Sequence, residues 1–182
     1  MKVFLCGPHG VGKTTLTKAF AEETGFIPIL DEIHNFTTNF KHFYERQFDI
    51  IEHIKKLFSK DGDSYIYDRH PIDSVIYCKT FHDLNWLTTK EFATLLLLLR
   101  TTFGDIQLDN VYIIPPNEEA QIKNIRRRLE SEPQRSNLRE TDLEYLQTIN
   151  TNYEKYVMPF VMTITKISLK ERVEELKKLV FG

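Results

Sequence analysis

Short apolar runs alternate with longer stretches of helical period along the chain. The runs Val3–Cys6, Phe26–Leu30, Tyr65–Tyr67, Val111–Ile114 and Met162–Ile164 are apolar at successive positions, as strands covered by helices on both faces should be. Between them the pattern predicts helices at about 13–24, 38–59, 71–83, 88–102, 117–131, 138–157 and 169–180. This alternation predicts an α/β fold around a mainly parallel sheet. No linker, repeat or low-complexity tract divides the chain, so residues 1–182 are read as a single domain. Thr88 followed by Glu91 marks one helix start, and Gly104 marks that helix's end. The Leu95–Leu99 block is read as core, and helix 88–102 as either buried or a homodimer face.

Composition narrows the classes of function. A net charge of −2 argues against an extended nucleic-acid partner, although a local basic patch stays open. The chain runs into glycine-rich chemistry too early for a signal peptide, and no apolar run could span a bilayer. A cytoplasmic protein without a membrane anchor is therefore expected. Cys6 and Cys78 lack metal-ligand spacing and are read as reduced core thiols.

The first strand leads into Gly7-Pro8-His9-Gly10-Val11-Gly12-Lys13-Thr14, which fits G-x-x-x-x-G-K-[ST] between a strand and a helix. The backbone of Gly7, His9, Gly10, Val11, Gly12, Lys13, Thr14 and Thr15 is expected to cradle the phosphates of ATP at a helix N-terminus. Lys13 would reach the β- and γ-phosphates, and the Thr14 hydroxyl would ligate Mg²⁺. Asp68 ends the strand Tyr65–Tyr67, where open parallel sheets gather their ligands. It is read as a second Mg²⁺ ligand, the alternative being a cap for the helix at Pro71. Arg69 beside it would hold an acceptor oxygen or a phosphate.

Asp31 and Glu32 follow the strand Phe26–Leu30, and Glu32 is the favoured general base for an attacking hydroxyl. Arg126, Arg127 and Arg128 stand on one helix, with Arg135 and Arg139 beyond, and residues 123–139 read as a helical lid. Neighbours on a helix lie about 100° apart, so the three cannot all face the phosphates. Arg126 and Arg128 are the catalytic candidates. His9, His34 and His42 read otherwise as loop or surface histidines, and Tyr153 and Tyr156 as helix packing. Gln47 is either exposed or a reader of the acceptor base.

With these motifs placed, GPHGVGKTT, the acid ending the second strand, YDRHPI, and RRRLESEPQRSN before LEYLQTINTNYEKY resemble the P-loop deoxynucleoside kinases, the herpesviral thymidine kinases among them. The opening is also similar to small bacterial and archaeal P-loop ATPases that begin G-x-H-G-x-G-K-T. The kinase resemblance runs from residue 1 to about 160. It implies ATP with Mg²⁺, a five-stranded parallel sheet of order 2-3-1-4-5, a helical lid, and acceptor activation by Glu32 with Arg69. Ile33 stands where that group usually has Pro. The expected reaction is transfer of the γ-phosphoryl group to the 5′-hydroxyl of a nucleoside. A nucleoside-monophosphate kinase, with Arg69 or Arg46 meeting the acceptor phosphate, is the alternative. A regulatory ATPase without an acceptor, and a kinase for another small metabolite, are further ones.

Overall fold

The computed structural model describes residues 1–30, 42–58, 64–132 and 140–182. Its elements run β1 (Lys2–Cys6), α1 (Lys13–Thr24), β2 (Ile27–Ile29), α2 (Phe43–Phe58), β3 (Tyr65–Tyr67), α3 (Pro71–Asp83), α4 (Thr89–Phe103), β4 (Val111–Ile113), α5 (Glu118–Ser131), α6 (Leu143–Tyr156), a 3₁₀ turn (Met158–Phe160), β5 (Met162–Thr163) and α7 (Leu169–Phe181). The strands form one all-parallel sheet of order β2-β3-β1-β4-β5, as expected.

Side-chain alternation along the strands builds the two halves of the core. Val3 and Leu5 of β1, with Tyr112 and Ile114 at β4, pack against Leu16 and Phe20 of α1 and Val173 and Leu176 of α7. Cys6, Val111 and Ile113 face the opposite side, among Ile76 and Phe81 of α3, Leu95 of α4 and Ile149 and Tyr153 of α6. Each central strand is thus apolar on both faces because each face has its own helical layer. Cys6 and Cys78 are buried free thiols, and burial pushes both up, Cys78 to about 12. Among the described residues, no helix is long and apolar enough to cross a membrane.

The structure refines the sequence reading at several element ends and in the leucine block. Phe26 lies outside the second strand, its ring edge-on to Phe20 5.4 Å away, and only Ile27–Ile29 pair with β3. The sixth helix starts at Leu143, where Asp142 accepts a hydrogen bond from the Tyr145 N–H and caps it. The leucine block is only partly core: Leu95 and Leu99 are buried, while Leu97 is 62% exposed. The i, i+4 spacing of helix faces accounts for that split.

The two ends of α4 carry the predicted signals. Thr88 and Glu91 form a reciprocal capping box, and Gly104 closes the helix at φ 68°. Leu95→Ala should cost about 2–5 kcal/mol in denaturant unfolding, because it empties a fully buried site in the core cluster that α4 shares with α3. Leu97→Ala should stay within about 0.5 kcal/mol. Equal losses in the two variants would misplace the buried face of α4.

Candidate active site

The phosphate loop is defined by where its carbonyls go. Gly7, Gly10 and Gly12 all have positive φ, at 137°, 74° and 98°. A Cβ at Gly7 would fall 2.7 Å from the Ile114 carbonyl, so both conformation and space require glycine there. The Lys13 ammonium donates to the carbonyls of Gly7 (2.5 Å) and Pro8 (2.9 Å). Gln121 Nε2 donates to His9 O at 2.8 Å, and Asn124 Nδ2 to Gly10 O at 2.7 Å. Arg172 Nη1 donates to Val11 O at 2.9 Å, and the Gly12 carbonyl accepts from Leu16 N at 3.0 Å. With every carbonyl from Gly7 to Gly12 engaged, and the Gly7 amide spent on Asp73 rather than on phosphate as expected, the amides from His9 onward are the main-chain groups left to meet an anion at the start of α1. Lys13 has three N–H donors and spends two on the loop, which leaves one for a phosphate oxygen. Burial pushes the Lys13 ammonium down from the ordinary lysine range, and the Asp73 carboxylate opposes that shift.

Beside the loop, Thr14 Oγ1 donates to Asp68 Oδ2 at 2.8 Å, and Asp68 is buried at the end of β3. A hydroxyl and a carboxylate in contact next to a phosphate loop are the oxygen pair that Mg²⁺ takes from protein, with phosphate and water completing the shell. The expected metal pair is therefore brought together. Asp68 does not cap α3. His70 does, its Nδ1 accepting from Ile72 N at 3.3 Å, and burial holds His70 down at about 4 so that this lone pair stays free.

The acid that matters for α3 is Asp73, which the sequence reading passed over. Its Oδ2 accepts His70 N at 3.0 Å, while Oδ1 accepts Gly7 N at 3.2 Å and the Tyr153 hydroxyl at 2.5 Å. Tyr153 is thus more than packing: burial first, and Asp73 second, raise its phenol far above the usual range and keep it a donor. The spacing of His70 and Asp73 was the available signal, being N-cap and N3 around Pro71.

On the other side of the loop lies a polar cluster. The Arg69 guanidinium sits over the Tyr77 ring at 5.3 Å, and the His9 ring is 4.9 Å from the same ring. His9 is buried rather than a surface histidine, with Nε2 2.7 Å from the Tyr145 hydroxyl and Nδ1 3.2 Å from Glu140 Oε1. Arg46 of α2 is buried, and burial lowers its guanidinium against the opposing fields of Tyr145, Tyr77 and Glu140. Gln47 is also buried, 3.9 Å from Cys78 Sγ, which excludes the exposed alternative.

Asp31, Glu32, His34, Arg135 and Arg139 lie outside the described residues. On α5, Gln121, Asn124 and Ile125 face the phosphate loop. Arg128 follows them by seven, four and three residues and so shares their face, while Arg126 and Arg127 are exposed on others. Gln121, Asn124, Asn150, Glu140 and Arg172 were not anticipated, because amides and late-chain residues carry no local motif.

The family model for deoxynucleoside kinases matches residues 4–180. The deoxyadenosine/deoxycytidine kinase of Bacillus subtilis is 27% identical over 173 residues, covering 87% of this chain and 77% of that protein. The deoxyadenosine kinase of M. mycoides with bound dCTP superposes with a TM-score of 0.82 at 18% identity, over 100% of this chain and 99% of that one. Its complex with dATP gives 0.76 at 20% identity, over 100% of both chains.

Lys13→Ala should abolish phosphoryl transfer, and the two loop carbonyls it releases should lower the unfolding midpoint while the chain stays folded. Thr14→Ala should raise the Mg²⁺ concentration needed for half-maximal rate by about tenfold, the value of one lost charge-assisted contact. A Mg²⁺ titration indistinguishable from the parent would separate Thr14 from the metal.

Proposed function

The chain belongs to the deoxynucleoside kinase family and is an ATP-dependent nucleoside kinase, and from that premise we propose that it transfers the γ-phosphoryl group to the 5′-hydroxyl of a deoxynucleoside through the residues gathered at the carboxyl edge of its sheet. The observation that supports this reading is the contact of Thr14 with Asp68 beside the phosphate loop, a hydroxyl and a carboxylate suited to Mg²⁺, with Arg69 the next residue along the chain. All five strands are parallel, so β1 and β3 bring the phosphate loop and Asp68–Arg69 to one edge of the sheet, the edge at which β2 also ends.

In this reading the acceptor hydroxyl gives its proton to Glu32 as its oxygen bonds to the γ-phosphorus. The bond from that phosphorus to the β,γ-bridging oxygen breaks, and ADP leaves. Lys13 follows the charge moving onto the β,γ-bridge. Arg69 holds the acceptor oxygen in line, and Arg128, one turn beyond Asn124 on the loop-facing side of α5, meets the equatorial oxygens of the transferring group. Mg²⁺ held by Thr14 and Asp68 would neutralise charge on the β- and γ-phosphate oxygens.

The match to the deoxyadenosine/deoxycytidine kinase of Bacillus subtilis, over 87% of this chain, favours a nucleoside over a nucleoside monophosphate as acceptor.

A screen of ATP consumption against deoxynucleosides, their monophosphates and no acceptor tests the proposal, with products identified by mass spectrometry. Deoxynucleosides, deoxyadenosine and deoxycytidine among them, should yield 5′-monophosphates. Glu32→Gln should keep ATP affinity by calorimetry while lowering kcat by ~10²–10⁴-fold. Turnover confined to monophosphates, or equal turnover without an acceptor, would overturn the assignment.

A further inference from the structure

Gln121 is fully buried in the first turn of α5, and its amide makes three hydrogen bonds, to the phosphate loop and to α6. One Nε2 proton goes to His9 O at 2.8 Å and the other to Asn150 Oδ1 on α6 at 3.1 Å. Its Oε1 accepts from Asn150 Nδ2 at 2.9 Å. The paired amides fix which way Gln121 points, because reversing it would set oxygen against oxygen at both partners.

The peptide group is planar and trans, so its C=O and N–H point in opposite directions. Whatever holds the His9 carbonyl therefore also aims the Gly10 N–H. Gly10 has no Cβ to limit its rotation, and at φ 74° it occupies a region where glycine moves freely. Contact with α5 supplies the missing restraint. A Cβ at Gly10 would fall 3.0 Å from the Gln121 carbonyl, and Asn124 takes the Gly10 carbonyl in turn.

We propose that Gln121, oriented by Asn150, is a positioning residue that holds the Gly10 amide at the angle needed for the donor phosphates. This inference rests on the phosphate-loop reading given above, and it adds two residues that no loop motif contains. A neutral amide suits the task, since it donates and accepts without placing a charge beside the triphosphate. Arg172 does the corresponding work for the Val11–Gly12 peptide from the opposite layer of the fold. Gln121 meets the loop at the His9 carbonyl and makes none of the hydrogen bonds that hold the His9 ring among Tyr77, Tyr145 and Glu140.

Two substitutions of similar shape test it, assayed in the full chain with ATP, Mg²⁺ and the best acceptor. Gln121→Met removes the donor and should lower kcat/KM for ATP by about tenfold or more, the cost of leaving a buried carbonyl unpaired. The acceptor KM should stay within about twofold, since nothing on the acceptor side has changed. Gln121→Glu cannot donate when ionised but can when protonated, and a buried carboxyl titrates upward of its usual range. Its activity relative to the parent should therefore rise as pH falls from 8.5 to 6, while the Gln121→Met ratio stays flat. Parent-like ATP kinetics in Gln121→Met, even with a lowered melting temperature, would reduce Gln121 to a packing residue. So would a pH-independent Gln121→Glu ratio. If neither variant folds, Asn124→Ala takes their place, and parent-like ATP affinity by calorimetry would refute the clamp. Should the parent phosphorylate no nucleoside, the functional assignment fails, while calorimetry of ATP·Mg²⁺ binding still decides the role of Gln121.

Discussion

A carboxylate with no solvent exposure holds this molecule's working parts in register. Asp73 accepts from the first amide of the phosphate loop, from the amide that opens α3, and from a tyrosine hydroxyl on α6. Burying an ionised carboxylate is costly unless its lone pairs are taken, and here three donors converge on two oxygens. Lys13 lies within its field and adds an opposite charge. The exit of β1, the helix behind Asp68 and Arg69, and the helix that carries Tyr145 therefore share one anchor. Removing any of the three donors leaves the others around a charge that is less well satisfied.

From that anchor the site grows outward by hydrogen-bond accounting. A loop that turns its amides towards an anion must place its carbonyls elsewhere, and from Gly7 to Val11 the partners are side chains, α1 taking only the Gly12 carbonyl through Leu16 N. Here α5 supplies two amide side chains, α7 supplies an arginine, and Lys13 closes the circuit from within. The geometry for binding a triphosphate is thus distributed over residues 7–172, although the motif that announces it is eight residues long. His9 belongs to both sides, its carbonyl bound by α5 and its ring lodged between Tyr77 and the Tyr145–Glu140 pair.

What could be read in advance follows from this distribution. The phosphate loop, the α4 capping box and the strand-end Asp68 were legible because short-range geometry dictates their residue types. The doubly covered strands were legible because period alone shows whether both faces are apolar. The strand order came from resemblance, since nothing in a strand's own residues names its neighbour. Asp73 was hidden because its partners Gly7 and Tyr153 are 66 and 80 positions away. Gln121 and Asn150 were hidden for the same reason, 29 residues apart and chemically unremarkable. Tyr153 was placed in the core, but its hydroxyl's errand could not be inferred from helical spacing. The arginine run on α5 was resolved only when Gln121 and Asn124 showed which face of that helix meets the loop.

The dependence on Asp73 can be measured by a double-mutant cycle of Asp73→Asn and Tyr153→Phe, read as ATP·Mg²⁺ affinity by calorimetry. Tyr153 touches no phosphate-loop residue in this hydrogen bond, so any influence on nucleotide binding must pass through the carboxylate. If Asp73 is the shared anchor, both single variants weaken ATP binding. The double variant is then no weaker than Asp73→Asn alone, a coupling of at least about 0.5 kcal/mol. Independent, additive losses, or a Tyr153→Phe chain that binds ATP like the parent, would contradict the account.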